Sequence, residues 1–267
     1  MKKVFALILI MAFLGLSGCG SNPEKAKGDQ GEAKSEAKMQ LVEEGKLTFA
    51  MSGLYKPLNY KQDGKLVGFD VEIGTEIAKR LGLEANPVTN PWETILQGLK
   101  GKKYDAIIGS MSITEERAQQ VDFTIPYYIE GAQIFVAEGN QDIKTPEDLK
   151  GRTIGVIQSS VWKSLAEGYS DKIKSYPSDV YALQDLPSGR LEAVITDSIV
   201  GAYAIKENNL KLKPVGSILN KDEVAVAVNK DNPELTKKIS EAIQAMVEDG
   251  TYEQISTKWF GYNTLKE

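Results

Sequence analysis

The chain has 267 residues, a formal charge of -5, no histidine and a single cysteine, Cys19. The acidic balance argues against the broad basic surface of a nonspecific nucleic-acid binder, while leaving room for an anion in a local basic site. Without histidine, and with one cysteine, no histidine–cysteine metal cluster, internal disulfide or serine–histidine triad can form, and neither metal nor cofactor is expected.

In chain order, Lys2 and Lys3 precede an apolar run from Val4 to Leu16, followed by Ser17-Gly18-Cys19. That run is short for a membrane span and carries a processing-type flank, so residues 1–18 read as a removed export signal. An ordinary secretory signal with an incidental cysteine, or an uncleaved anchor, are the alternatives. The segment resembles a bacterial lipobox, which implies cleavage before Cys19, lipidation of its sulfur and a membrane anchor of acyl chains. Residues 19–45 are rich in charge, Gly, Ser and Ala and read as a flexible tether.

The folded part starts near Lys46 with the strand-like LTFAM. Gly64 and Gly68 flank an expected hairpin, and Asp70 reads as the N-cap of a helix carrying Val71, Gly74, Ile77, Ala78 and Leu81, stopped at Gly82. Trp92, Ile95, Leu96 and Leu99 predict a second helix. The apolar run at 104–109 predicts a strand buried on both faces. Thr114 should cap a short helix with Glu115, Glu116 and Arg117, and GAQIFVA at 131–137 ends this block. A second block follows, with a helix start at Thr145-Pro146, a strand at 152–157 and a polar turn at Gln158-Ser159-Ser160. It continues with a strand near 173–176, a helix from Asp179, a strand at 192–196 and a helix after Asp197. A strand at 222–228 and helices near 233–248 and 251–260 complete the pattern, which predicts mixed or parallel sheets with helices on their faces.

Several segments together carry a resemblance: Tyr55-Lys56-Pro57-Leu58, Gly64 to Asp70, Tyr104 to Arg117, Val121 to Thr124, Pro126-Tyr127-Tyr128, Gly189 to Asp197, and Trp259-Phe260-Gly261. In this order and spacing the chain resembles the extracellular solute-binding proteins that deliver polar amino acids to ABC importers, over roughly Lys46 to Gly261. The resemblance implies an α/β, two-lobed periplasmic-binding-protein-like fold, with mixed sheets flanked by helices and a two-strand hinge. Lobe 1 would comprise 46–132 and 223–267, and lobe 2 would comprise 133–222, with hinge strands near 131–137 and 218–224. Ligand would be enclosed between the lobes by hinge rotation.

The same resemblance implies a set of ligand-binding residues. Arg117 would hold the ligand α-carboxylate through its planar fork, helped by Ser112. Ser110 and the backbone at Gly109 would touch ligand backbone atoms; Gly109 stands where the family often has serine. Asp197 would take the α-ammonium, a role compatible with capping the next helix. Ser160 would present its hydroxyl or N–H, with Gln158 shaping the same turn. Tyr55 and Trp92 would wall the cleft. Ser52 stands where some relatives that bind basic amino acids have aspartate. A glutamine-like ligand is therefore slightly favoured over an arginine-like one, unless another acid such as Glu130 substitutes. Leu58 replaces a frequent aromatic and is expected to soften a cleft wall.

The expected partners are a free polar amino acid, an ABC permease with a separate ATPase, and the membrane through the lipid, the protein itself being monomeric and extracytoplasmic (periplasmic in a Gram-negative cell). A ligand-presenting sensory module acting through a membrane partner is the alternative. An enzyme on the same fold would need a catalytic glutamate in an added domain, so no catalytic residue is expected.

Overall fold

A computed structural model describes residues 39–207 and 209–266, except for the side chain of Glu130. The expected signal, Cys19 and the tether as far as residue 38 lie outside the described residues. From Gln40 onward the chain is held: Gln40 exchanges two hydrogen bonds with the Asn232 side chain, and the Val42 N–H donates to Asp105 at 2.6 Å.

The elements alternate as the periodicity predicts. Strand β1 (Lys46–Met51) is followed by the small sheet β2 (Leu54–Tyr55), β3 (Asn59–Gln62) and β4 (Lys65–Val67). Helix α1 (Phe69–Arg80), strand β5 (Glu84–Thr89), a 3-10 turn at Trp92–Thr94, helix α2 (Ile95–Lys100), strand β6 (Ala106–Ser112) and helix α3 (Glu115–Gln120) come next. Strand β7 (Asp122–Ala137) is a single run of 16 residues. Beyond it lie a 3-10 turn at Pro146–Leu149, β8 (Ile154–Ile157), α4 (Val161–Glu167), β9 (Ile173–Tyr176), α5 (Asp179–Asp185), β10 (Ala193–Asp197), α6 (Ser198–Glu207) and β11 (Leu212–Val215). Strand β12 (Lys221–Val228) and helices α7 (Pro233–Glu248) and α8 (Thr251–Phe260) close the chain.

The main sheet is mixed and turns on β7. One half has the order β5-β1-β6-β12-β7, the other β7-β10-β8-β9, with β11 also on β7. In the first half β1 runs parallel to β5 and β6; in the second β8 runs parallel to β10 and β9. Strands β6 and β10 are buried throughout, as helix-covered parallel strands require. Pro87 is tolerated in β5 because that strand is an edge. The chain passes between the halves twice, and the two passages are bonded: the Leu219 N–H donates to Ala132 O, and the Ala132 N–H to Asn220 O.

The hairpin turns at Asp63-Gly64, both with positive φ. Gly68, at φ 129°, is required for another reason: a Cβ there would lie 2.2 Å from the Leu58 carbonyl oxygen. Gly68 is also the residue that precedes α1, so Asp70 is not an N-cap but the helix's second residue, turned into the core. Leu58 is fully buried in that core rather than in a cleft wall, which corrects its expected place. No helix among the described residues is long and apolar enough to cross a membrane.

Candidate functional site

In open α/β sheets, the chain segments leaving the carboxyl ends of parallel strands face a common crevice. Here β1 leads to Ser52, β5 to Trp92, β6 to Ser112 and Arg117, β8 to Gln158–Ser160, β9 to Ser178 and Asp179, and β10 ends at Asp197. Two connected spaces result. An inner cavity is lined from the first half by Ser52, Tyr55, Trp92, Gly109, Ser110, Ser112 and Arg117, and from the second by Ser160, Trp162, Ser178 and Asp179, among others. It has about 40 Å³ of free volume, room for roughly three waters at ~10–15 Å³ each. An outer vestibule of about 650 Å³ shares Trp92, Arg117, Ser160 and Val161 with it and adds Gln158 and Ser159.

Arg117 is set by its own helix. Thr114 caps α3 as expected, its hydroxyl accepting the Arg117 N–H at 3.2 Å, which fixes the first turn. The guanidinium donates to Ser112 O at 2.8 Å and to Ser159 O at 3.4 Å, and its carbon lies 5.6 Å from the Trp92 ring centre. Trp92 Nε1 also donates to Ser159 O, at 3.3 Å. The Ser159 carbonyl is thus the point where two side chains of the first half reach the second. Ser159 has φ 60°, and that turn aims its carbonyl.

Ser52 and Ser110 line the cavity but spend their hydroxyls on a buried network. Ser110 Oγ donates to Asp70 Oδ2 at 2.8 Å, and Asn59 Nδ2 donates to the same oxygen at 2.6 Å. Tyr127 OH donates to Asp70 Oδ1 at 2.7 Å and accepts the Ser110 N–H. Ser52 Oγ donates to Asn59 Oδ1 at 3.1 Å, so it is joined to Asp70 through the amide. Burial pushes the Asp70 carboxyl up to about 6, against the pull of its three donors. Gly109 explains itself by contact: a Cβ there would lie 3.0 Å from Met51 Cα, so the serine common in the family would push against β1. Ser160 Oγ donates to Ile157 O at 2.7 Å, and Gln158 is exposed at the vestibule.

Asp197 is fully buried at the end of β10 and is not among the cavity's lining residues. Its Oδ1 accepts the Ile199 N–H at 2.6 Å, the expected helix cap, while Oδ2 has no hydrogen-bond partner. Asp179 lines the cavity instead, and sequence reasoning missed it. It is 1% exposed; Oδ1 accepts the Thr196 hydroxyl and Oδ2 is without a partner, as is Ser178 Oγ beside it. Burial raises both carboxyls, Asp179 to about 7, and the nearby Asp197 charge adds to the effect there. An acid in the first turn after a serine is an ordinary helix-start signal, which hid Asp179.

A family model for bacterial extracellular solute-binding proteins, family 3, matches residues 47–262. The chain belongs to that family. It is 36% identical over 231 residues to the L-cystine-binding protein TcyJ of Escherichia coli K12, covering 85% of this chain and 87% of that one. It is 32% identical to the lysine/arginine/ornithine-binding periplasmic protein of the same organism, with 78% and 85% covered. Among solved structures, an ancestral arginine-binding protein bound to glutamine superposes with a TM-score of 0.76 at 40% identity, covering 81% of this chain and 98% of that one. This chain is a non-catalytic solute-binding protein of extracytoplasmic type. Among the described residues no group of three or more His, Cys, Asp or Glu could hold a metal ion.

Proposed function

We propose that this chain captures a polar amino acid between the two halves of its sheet and delivers it to an ABC permease, held at the outer face of the membrane by lipid on Cys19. The lobes would be 46–132 with 223–267, and 133–222, turning about the paired passages near Ala132 and Asn220. The observation that carries the reading is Arg117. Arg117 is 9% exposed, and its fork, aimed at carbonyls on both sides of a cavity, is the group that a carboxylate can claim bidentately.

In this reading the α-carboxylate displaces the carbonyl contacts of Arg117 and sits by Ser112 and the Ser160 N–H, while Tyr55 and Trp92 cover its carbon skeleton. Asp197 offers its spare oxygen to the α-ammonium. The inner cavity lies between the two halves, so entry would have the halves part and binding draw them together. Curated relatives named for cystine, and for lysine, arginine and ornithine, support an amino acid as the cargo. Calorimetry against the common amino acids tests the reading. Arg117→Ala should weaken binding by at least about 100-fold, the value of a lost charge-assisted pair, with the thermal melt retained; wild-type affinity in that variant would overturn the assignment.

A further inference from the structure

Among the described residues, five other than glycine have positive φ, and four of them lie in turns or loops; Ser110, at φ 60°, stands inside a strand. The register shows why. Met111 pairs with Ala225 and Ile107 with Ala227, so Ile108, Gly109 and Ser110 stand opposite the single residue Val226. A bulge of this kind re-aims a side chain beside a site. Ser110 is held in the bulge at two points: its N–H donates to Tyr127 OH at 2.9 Å and its Oγ to Asp70 Oδ2 at 2.8 Å. Tyr127 OH closes the ring by donating to Asp70 Oδ1. Asp70 is fully buried and is not among the cavity's lining residues, whereas Ser110 and Ser52 are. We propose that Asp70 is a positioning residue for ligand binding, its carboxylate orienting the Ser110 and Ser52 hydroxyls so that both turn oxygen lone pairs, not hydrogens, to the inner cavity. The inference rests on the reading that this cavity holds an amino acid.

An ionised carboxylate only accepts hydrogen bonds. Ser110 must therefore spend its one hydroxyl hydrogen on Oδ2, and the Asn59 amide must turn its NH2 to the same oxygen, at 2.6 Å. That leaves Asn59 Oδ1 to accept the Gly53 N–H at 2.9 Å and the Ser52 hydroxyl at 3.1 Å. Both hydroxyl hydrogens are committed before a ligand arrives, and a wall of acceptors suits the α-ammonium of an amino acid. Asparagine in place of Asp70 offers a donor as well as an acceptor, so either chain of bonds can reverse and turn a hydrogen toward the ammonium. The titratable groups facing Asp70 are Tyr127 from β7 and Tyr252 from α8. Burial raises both above the ordinary tyrosine value, so neither adds charge, and Asp70, raised to about 6, is ionised at pH 8.

The test is calorimetry of detergent-solubilised full-length protein against the common amino acids and L-cystine, at pH 8 and pH 5. Those that wild type binds are then titrated into Asp70→Asn, Ser110→Ala and the double variant. Asp70→Asn should weaken binding about tenfold or more at pH 8. The gap should narrow to within about threefold at pH 5, where the wild-type carboxyl is mostly protonated. In the Ser110→Ala background, Asp70→Asn should cost at most about threefold further, because it acts through the hydroxyl already removed. An equal loss at both pH values, or full additivity of the two substitutions, would make Asp70 an element of the fold alone and overturn the inference. Wild-type affinity in Asp70→Asn also overturns it, while leaving the amino-acid reading intact; wild type that binds no amino acid removes both. Should Asp70→Asn not fold, carboxyl NMR of wild type decides. Saturation with the tightest of those amino acids should lower the Asp70 titration midpoint by about half a pH unit or more, and an unmoved midpoint contradicts the proposal.

Discussion

Among the described residues, the carboxylates of Asp70, Asp179 and Asp197 are almost wholly buried, and they are treated in opposite ways. Asp70, in the first half, has both oxygens engaged: Asn59, Ser110 and Tyr127 all donate to it. Asp179 and Asp197, in the second half, each accept on one oxygen and leave the other without a partner. A satisfied buried acid fixes structure, here by tying Ser52 and Ser110 of the cleft to β3, α1 and β7. An unsatisfied one at a cavity is stability withheld, and solute binding is where it is recovered.

The contrast breaks most visibly at Asp70. Asp70→Ala strands three buried donors, so chemical denaturation should show a loss on the order of 3–5 kcal/mol, or roughly 10 °C in melting temperature for a chain of this size. A loss under 1 kcal/mol would mean that the network is ornamental.

Asp179 should respond with the opposite sign. Its folded-state pKa is raised to about 7, so its contribution to stability is full below the unfolded value near 4 and is lost as pH rises through about 7. Asp70, raised to about 6, adds a decline of the same sign over a narrower window. Ligand-free Asp179→Asn should therefore match wild type near pH 4 and exceed it by roughly 2–4 kcal/mol at pH 8. A pH-independent difference between the two would show that the carboxyl does not titrate in the folded chain. Next in size is Ser110→Ala, which removes one of the three donors to Asp70. It should cost ~1–2 kcal/mol and move the Asp70 titration upward in carboxyl NMR, since that bond holds the pKa down.

Much of this was readable in the chain. The 3.6-residue recurrence in α1, the Asn232-Pro233 start of α7 and the Thr114 cap are local signals, and the elements stand where those signals lie. Strands β2 and β11 and the first part of β7 were not legible, because short or amphipathic edge pairing is decided by neighbours far along the chain. The site divides likewise. Arg117, Ser112 and Trp92 sit in recognisable motifs and meet at the cavity. Asp70 reads as a cap locally and becomes a hub only because Asn59 and Tyr127 arrive from distant strands. Asp179 carries the signal of a commonplace helix start, and only the three-dimensional arrangement brings it to the cavity lining.

The smallest expected effect concerns what holds the halves together. Trp92 Nε1 and the Arg117 guanidinium both donate to Ser159 O, but Arg117 is also the proposed carboxylate ligand, so the tryptophan bond is the one that can persist when ligand is bound. Trp92→Phe keeps an aromatic face for the guanidinium and deletes the N–H. The bond is long and solvent-exposed, so its loss should cost about 0.6 kcal/mol, equivalent to roughly threefold weaker ligand binding. Small-angle scattering of the ligand-free variant should register a shift toward a more open shape. If affinity falls without any change in shape, the tryptophan acts on the ligand rather than on closure, and if neither changes, the Ser159 carbonyl is held by Arg117 alone.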